Sequence, residues 1–186
     1  MNALENWFCS TQFWRNITRN QLLPWTLAEV NLGDHLLEIG AGSGAATPEL
    51  RNRVPRLTGL EYDRALVARL AQRNRSTDVV QGDAAALPFA DSSFTSAIAI
   101  LMLHHLRSTE LQDRAFAEVH RVLRPGGRFC AFDIQDGWLN RVVHIKSTFV
   151  PINPHTVATR LTGAGFAKVS VDLRSGAFRF LASKQN

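Results

Sequence analysis

The residue pattern with the clearest chemistry is a set of glycines at alternate positions, Gly40, Gly42 and Gly44. They directly follow an apolar stretch, 36–39, that contains one acid, Glu38. A strand that runs into closely spaced glycines is typical of a nucleotide-binding loop, because glycine permits a tight turn and lets a ligand touch the backbone. The helix predicted over 45–54 would offer unpaired N–H groups at its start. A glycine-rich turn that binds nothing is the alternative.

Further acids follow the next two predicted strands. Glu61 ends the strand predicted over 56–61, and an acid at the carboxyl end of the second strand can accept hydrogen bonds from both hydroxyls of a ribose. A surface acid without a ligand is the alternative for Glu61. Asp83 follows the short strand predicted over 78–81.

Several segments resemble the class I S-adenosylmethionine-dependent methyltransferases, of the small-molecule type known from ubiquinone and menaquinone biosynthesis. The Glu38 to Gly44 run is similar to motif I of that family, and Gly82-Asp83-Ala84 to its third-strand segment. Other similar segments are Leu-Pro-Phe at 87–89, Asp-x-Ser-Phe at 91–94, Leu-His-His-Leu at 103–106 and Arg-Val-Leu-Arg-Pro-Gly-Gly-Arg at 121–128. Thr95 departs from the pattern, because many relatives have aspartate after the phenylalanine.

The resemblance implies that S-adenosylmethionine is the cofactor. In the family the glycine loop holds the methionine half, the second-strand acid binds the ribose, and the third-strand aspartate accepts a hydrogen bond from the adenine amino group. Transferred to this sequence, the expected cofactor-binding residues are Glu38, Gly40, Ala41, Gly42, Gly44, Glu61, Tyr62, Asp83, Ala84 and Ile100.

Strand and helix patterns alternate from residue 35 onwards, which predicts an α/β fold with a parallel sheet between two helical layers. The link 174–176 between the last two strands is so short that it permits only an antiparallel hairpin. We therefore expect a three-layer, Rossmann-like, seven-stranded methyltransferase core over 35–183, within a single domain, 1–186. The remaining predicted strands are 95–101, 128–134, 167–173 and 177–183. The remaining predicted helices include 65–74 and 154–164. Another helix is predicted to begin at Ser108 or Thr109, with Gln112 completing a capping box.

The first thirty residues lie outside this resemblance and form an aromatic-rich, amphipathic helical segment. Pro24 would interrupt or restart the helix. The segment would serve as a cap on the edge of the sheet, as a lid over the cofactor, or as both, and Trp7, Phe13, Trp14 and Ile17 supply its apolar surface.

Three residues are candidates for a general base, which methyl transfer needs only if the acceptor must lose a proton. His104 and His105 follow the fourth strand, and Asp133 ends the fifth. The histidine pair would otherwise shape the pocket or cap the next helix. No cysteine or histidine spacing indicates a metal site, so no metal is expected.

The acceptor is predicted by elimination to be a small, rather apolar molecule. Ile100 to Leu103 stand where an Asn-Pro-Pro-Tyr tetrad would indicate base methylation, and no cysteine pair or double-glutamate loop suggests other macromolecular acceptors. A catalytically inactive module that binds the cofactor as a sensor or partner subunit is one alternative. A dinucleotide-dependent dehydrogenase is the other, disfavoured by the glycine spacing, Asp83 and the terminal hairpin.

The net charge of +5 and the pI near 10.0 come from arginines spread along the chain rather than from a cluster, so no nucleic-acid partner is expected. No apolar stretch has the length of a membrane span, and the N-terminus does not resemble a signal peptide, which favours a cytoplasmic protein. Cys9 and Cys130 are expected to be reduced, structural thiols.

Overall fold

The computed structural model describes residues 10–28, 30–145 and 147–186 of the chain. Its centre is a seven-stranded sheet in the order β3-β2-β1-β4-β5-β7-β6. β1 to β5 are parallel to one another, and β7 pairs antiparallel with both β5 and β6. The strands are β1 His35–Ile39, β2 Arg56–Glu61, β3 Asp78–Gln81, β4 Phe94–Ile100, β5 Leu123–Ile134, β6 Lys168–Arg174 and β7 Ala177–Ser183.

Helices flank both faces of this sheet. They are α1 Gln12–Ile17, α2 Leu23–Thr26, α3 Thr47–Arg51, α4 Arg64–Arg73, α5 Thr109–Val122, α6 Trp138–Val143 and α7 Val157–Gly163. A π-helical turn, Thr18–Leu22, joins α1 to α2, and a 3-10 turn, Leu103–His105, follows β4.

Two apolar clusters, one on each face of the sheet, form the core. All five residues of β1 are buried, as expected for a central strand covered on both sides. Leu37 packs into one cluster with Phe116 of α5, and Leu36 into the other with Leu23 of α2 and Leu50 of α3. The predicted three-layer α/β fold with a C-terminal antiparallel hairpin is therefore confirmed.

Some predicted helix boundaries are wrong. The helix expected over 45–54 is only Thr47–Arg51, with Pro48 in its first turn. The helix expected over 154–164 begins at Val157, and the stretch expected to be irregular after β5 contains α6.

The predicted capping box at the start of α5 is also wrong. The Ser108 hydroxyl accepts a hydrogen bond from Leu111 N–H and is the N-cap. Gln112 is buried instead, and its amide donates to the carbonyl oxygens of Leu103 and Val150 at 3.3 and 2.8 Å. A side chain expected at a helix end thus joins the turn after β4 to the segment after β5.

The N-terminal segment has two parts with different burial. Leu23 and Leu27 are buried against the sheet, and the Trp25 ring lies edge-on to Phe132 at 5.7 Å. The α-helix restarts beside Pro24 as predicted, because the proline lies in the first turn of α2, after a π-helical turn in which Leu23 N–H bonds to Thr18 O. No residue of α1 is buried, whereas Leu23 and Thr26 of α2 are buried. Trp7, to which the lid prediction also refers, lies outside the described residues.

Within the described part of the chain, no helix has both the length and the apolar character that crossing a bilayer requires.

Candidate functional site

A cleft of about 480 Å³ opens where β1, β2, β3 and β4 end, which is the edge at which open α/β sheets bind ligands. Six of the predicted cofactor-binding residues line it: Gly40, Gly42, Glu61, Tyr62, Asp83 and Ala84. Other lining residues include Leu101, Met102, His105, Leu106, Arg107, Leu111 and Thr148. The glycine loop and the two strand-end acids therefore lie around one cavity, as the sequence pattern requires.

The glycine loop is folded as a nucleotide loop should be. Gly40 and Gly42 have φ angles of +68° and +58°, in the left-handed region that glycine tolerates. A Cβ atom at Gly40 would lie 2.7 Å from Met102 Cβ, so a side chain there would clash with Met102, which follows β4. A Cβ atom at Gly42 would find only Gly40 O, at 4.0 Å, and would stand in open space beside the cleft. The loop thus leaves room that a ligand can fill.

Glu61 connects this loop to the end of β2. One of its carboxylate oxygens accepts a hydrogen bond from Gly42 N–H at 2.8 Å, and the other from Asp63 N–H at 2.9 Å. Each oxygen keeps a second lone pair, so the carboxylate can still accept two ribose hydroxyls from the cleft. Glu61 therefore has both a structural task and the geometry for the predicted one.

Glu38 lies behind the loop rather than in the cleft wall. Its side chain is buried, and the Thr47 hydroxyl donates a hydrogen bond to it at 2.7 Å. Burial, together with repulsion from Glu61, raises the pKa of the Glu38 carboxyl to about 8, although the Thr47 hydrogen bond opposes the rise. A cofactor contact by this side chain stays a prediction, and its visible role is to hold the first turn of α3.

Ala41, Gly44 and Ile100 are also absent from the cleft lining. Ile100 packs instead against the core cluster of Leu23 and Leu36. The next residue, Leu101, has an unusual φ of +51°, and its N–H bonds to Phe132 O. This turn places Leu101 and Met102 in the cleft, two residues that the sequence pattern did not identify as ligand contacts.

Asp83 and Ala84 lie at the opening of the segment after β3. Asp83 accepts a hydrogen bond from Ala85 N–H at 2.8 Å, and Gly82 N–H bonds to Glu61 O. A Cβ atom at Gly82 would lie 2.7 Å from Leu60 Cδ1, so this glycine is required for close packing. The two predicted adenine contacts are thereby held next to Glu61, the predicted ribose contact.

The predicted catalytic histidines have different surroundings. His104 is buried, and its Nδ1 lies 2.5 Å from Asp133 Oδ1. His105 lines the cleft, and its Nδ1 donates to Thr148 O at 3.0 Å. Of the pair, only His105 is placed to reach a ligand directly.

Asp133 does not face the cleft. It is completely buried, and its oxygens also accept hydrogen bonds from Ile134 N–H and His104 N–H. It therefore orients His104 and is not positioned to take a proton from an acceptor. A third histidine that the sequence did not suggest, His144, packs against both rings of the pair at centroid distances of 5.0 and 5.5 Å.

The fold and the cleft define a Rossmann-like protein with a cleft along the carboxyl ends of β1, β2 and β3. A family model described as "Methyltransferase domain" matches residues 37–131, more than half of the chain. The chain therefore belongs to this family of S-adenosylmethionine-dependent methyltransferases, and the cofactor predicted from the sequence is confirmed at the level of the family.

Curated proteins with similar sequences have related names. The chain is 32% identical over 139 residues to a probable S-adenosylmethionine-dependent methyltransferase of Mycolicibacterium smegmatis, covering 74% of this chain and 51% of that protein. It is 32% identical to a demethylmenaquinone methyltransferase of Corynebacterium kroppenstedtii, covering 64% and 48%. It is 31% identical to a probable tRNA methyltransferase 9B of Bos taurus, covering 75% and 30%. The chain thus spans about half the length, or less, of these relatives.

A solved structure matches almost the whole chain. It is the putative methyltransferase of Haloferax volcanii in complex with the Trm112 methyltransferase activator, with a TM-score of 0.77 over 99% of this chain and 95% of that one. The sequences are 17% identical, so this likeness bears on the fold alone.

Proposed function

We propose that this protein transfers the methyl group of S-adenosylmethionine to a small, apolar acceptor. The observation on which the proposal rests is a cleft lined by both acids and apolar side chains. We assign Glu61 and Asp83 to its nucleotide side, and Met102, Leu106 and Leu111 to its far side. When bound, the cofactor supplies a sulfonium methyl group that is already a strong electrophile. The chain has to bind it, align the acceptor behind the methyl group and exclude water.

The residues on the nucleotide side fit the adenosyl half of the cofactor. The Glu61 carboxylate would accept the ribose hydroxyls, and Asp83 with Ala84 N–H would contact the adenine. The open space at Gly42 and the positive φ angles of the loop leave room for the methionine half. Tyr62 is exposed and lines the cleft next to Glu61, where its ring would cover the adenosine.

The far side of the cleft would bind the acceptor. Its Leu and Met side chains favour an apolar molecule, since burying apolar surface contributes about 25 cal/mol per Å². His105 lies on this side and is the histidine that would contact the acceptor and receive its proton, if it has one to lose. His104 would not contact the acceptor. It would affect the site through its hydrogen bond to Asp133 and its packing in the turn after β4.

Surface features next to the cleft also support an apolar acceptor. The segment after β5 exposes large apolar side chains on and just after α6, with Trp138 78% and Ile145 61% accessible. The same segment contributes Thr148 to the cleft wall. The demethylmenaquinone relative is consistent with a quinone-like acceptor, and the tRNA methyltransferase relative makes nucleic acid the acceptor class to test against it.

Methyl-labelled S-adenosylmethionine provides the test. The purified chain would be incubated with the label and, separately, with demethylated quinols, a small-metabolite extract and unmodified tRNA. Label in an organic-extractable product supports the proposal; label in tRNA, or cofactor binding without transfer to any of the three, contradicts it. Asp83→Ala should lose transfer, whereas Asp34→Ala, an exposed acid before β1, is the matched control that should keep it.

A further inference from the structure

Three histidine side chains converge beside the cleft. His104 and His105 belong to the 3-10 turn after β4, and His144 is the C-cap of α6 after β5. Each offers a ring nitrogen, and these three atoms all lie within 4.8 Å of one another. His104 and His144 are buried and His105 is half-buried, so the cluster belongs to the interior of the site and not to a solvated surface.

All three rings are fixed through the same nitrogen. Nδ1 lies 2.5 Å from Asp133 Oδ1 in His104, 3.0 Å from Thr148 O in His105 and 2.6 Å from Asn140 O in His144. Carbonyl and carboxylate oxygens accept hydrogen bonds, so Nδ1 has to be the donor in each ring. A neutral imidazole with its hydrogen on Nδ1 has its lone pair on Nε2. In their neutral form, all three side chains therefore have the tautomer that binds metal through Nε2.

This arrangement is the one found around protein-bound metals. A ligating histidine donates its other N–H to a carboxylate or a backbone carbonyl, which fixes the ring and raises its basicity. The cluster has one carboxylate partner and two carbonyl partners.

Charge supports the same conclusion. Asp133 is completely buried, and among the described residues its ion-pair partner is His104. A buried carboxylate requires a compensating positive charge, because an isolated ion in the interior is costly. A metal cation on the opposite nitrogen of His104 would supply that charge in place of a proton.

We propose that His104, His105 and His144 bind one zinc-class divalent cation. Imidazole nitrogens suit zinc and its neighbours, whereas magnesium and calcium require oxygen ligands. Three protein ligands leave one position of a tetrahedral ion for water or a substrate atom. Because His105 and Thr148 also line the cleft, this position would lie on the acceptor side. The ligands can bind the ion without cofactor or acceptor, so the site does not require methyl transfer. A metal on Nε2 of His105 would occupy the lone pair that a proton from the acceptor needs, so the zinc site and the base role of His105 exclude each other.

The test begins with tag-free protein that has been stripped with EDTA and dialysed. Zinc titration by calorimetry, with metal content by mass spectrometry, should give one ion per chain. His105→Ala and His144→Ala should each weaken zinc binding at least about 100-fold, since changes in outer-shell partners alone cost roughly 10- to 100-fold. His155→Ala is the control, because His155 is exposed and outside the cluster, and it should bind zinc like the parent.

A second measurement uses the unaltered protein, so it does not depend on whether the variants fold. X-ray absorption of the zinc-loaded chain should show three imidazole nitrogens at about 2.0–2.1 Å. Cobalt substitution should give the visible bands of a tetrahedral ion. The proposal is overturned if the parent binds no stoichiometric zinc, if His105→Ala and His144→Ala bind it unchanged, or if the absorption spectrum lacks imidazole ligands.

Discussion

The Glu61 carboxylate has a structural role and a predicted ligand-binding role. It holds the glycine loop through Gly42 N–H and the start of α4 through Asp63 N–H, and it faces the cleft where a ribose would bind. Glu61→Ala should therefore weaken binding of S-adenosylhomocysteine by about 1 to 3 kcal/mol, because charge-assisted hydrogen bonds are lost. Calorimetric titration measures the effect, with Asp34→Ala as the control acid.

The same substitution should also lower stability, which the sequence alone did not indicate. Two backbone donors lose their acceptor, so we expect a cost on the order of 1 to 3 kcal/mol in the free energy of unfolding measured in urea. Unchanged affinity together with lowered stability would mean that Glu61 is purely structural and that the ribose role is wrong.

Glu38 should make the stability depend on pH. Its folded-state pKa of about 8 lies above the ordinary value of 4.5, so the folded chain retains a proton that the unfolded chain releases between these values. Its contribution to stability is therefore complete below pH 4.5 and is lost as the pH rises through 8. Over that range, Glu38→Gln should gain stability relative to the parent by up to a few kcal/mol.

Paired urea titrations of the parent and Glu38→Gln at several pH values between these limits provide the measurement. Glutamine can still accept the Thr47 hydrogen bond, so packing is preserved and the substitution isolates ionisation. A difference between the two proteins that does not change with pH would show that Glu38 is ionised throughout and would refute this account.

The sequence predicted the acids at the cleft but not all of the residues in and beside it. Glu61 and Asp83 were predictable because each follows a short strand, and parallel strands bring their carboxyl ends to one edge. His144 and Gln112 were not, because their partners in the turn after β4 are brought close only by the tertiary path of the chain. Leu101 and Met102 depend on a left-handed residue that sequence patterns do not specify.

The strands were easier to predict than the helices for a physical reason. A strand buried on both faces is mostly apolar, and β2 has the predicted bounds 56–61, although β5 begins at Leu123 and not at 128. Short helices such as α3 and α7 have few turns, so local proline and glycine effects move their ends by several residues. α6 was missed because it is only six residues long, although its apolar positions 138, 139, 142 and 143 have helical spacing.

The two parts of the N-terminal segment should respond differently to ligand. α1 has no buried residue and Phe13 is 64% exposed, whereas Leu23 of α2 is fully buried. We therefore expect α1 amides to exchange rapidly without ligand and to become protected with S-adenosylhomocysteine, as a closing lid would, while α2 is protected in both states. Hydrogen exchange followed by mass spectrometry resolves the two. Equal protection of α1 in both samples would exclude a mobile lid.

Substitutions in α1 and α2 distinguish a lid over the cofactor from a cap on the sheet. Leu23→Ala should destabilise the fold by roughly 2 to 5 kcal/mol, as truncation of a buried leucine does. Phe13→Ser should change stability by no more than about 0.5 kcal/mol, as expected for a surface position, and should lower methyl transfer. A large stability loss from Phe13→Ser would show that α1 is a structural cap.

The cleft lies where the order of the strands reverses. From β1 the chain runs outwards through β2 and β3 and then returns to β4 on the other side of β1, so the loops after β1 and β4 diverge and leave a crevice between them. Gly40 and Met102, which follow β1 and β4, pack against each other, and both line the crevice. A ligand bound there contacts both halves of the sheet, so it should stabilise the whole fold against unfolding.

S-adenosylhomocysteine at about 100 times its dissociation constant should stabilise the folded chain by about 2.7 kcal/mol, since it binds only the folded state. For a domain of this size that corresponds to a rise in the unfolding temperature of roughly 5 to 11 °C. NAD at the same concentration should give no rise, because the glycine spacing, Asp83 and the hairpin of β6 and β7 match a methyltransferase. Glu61→Ala should reduce the rise, and Asp34→Ala should leave it unchanged. A rise with NAD and none with S-adenosylhomocysteine would show that the crevice is built for a dinucleotide.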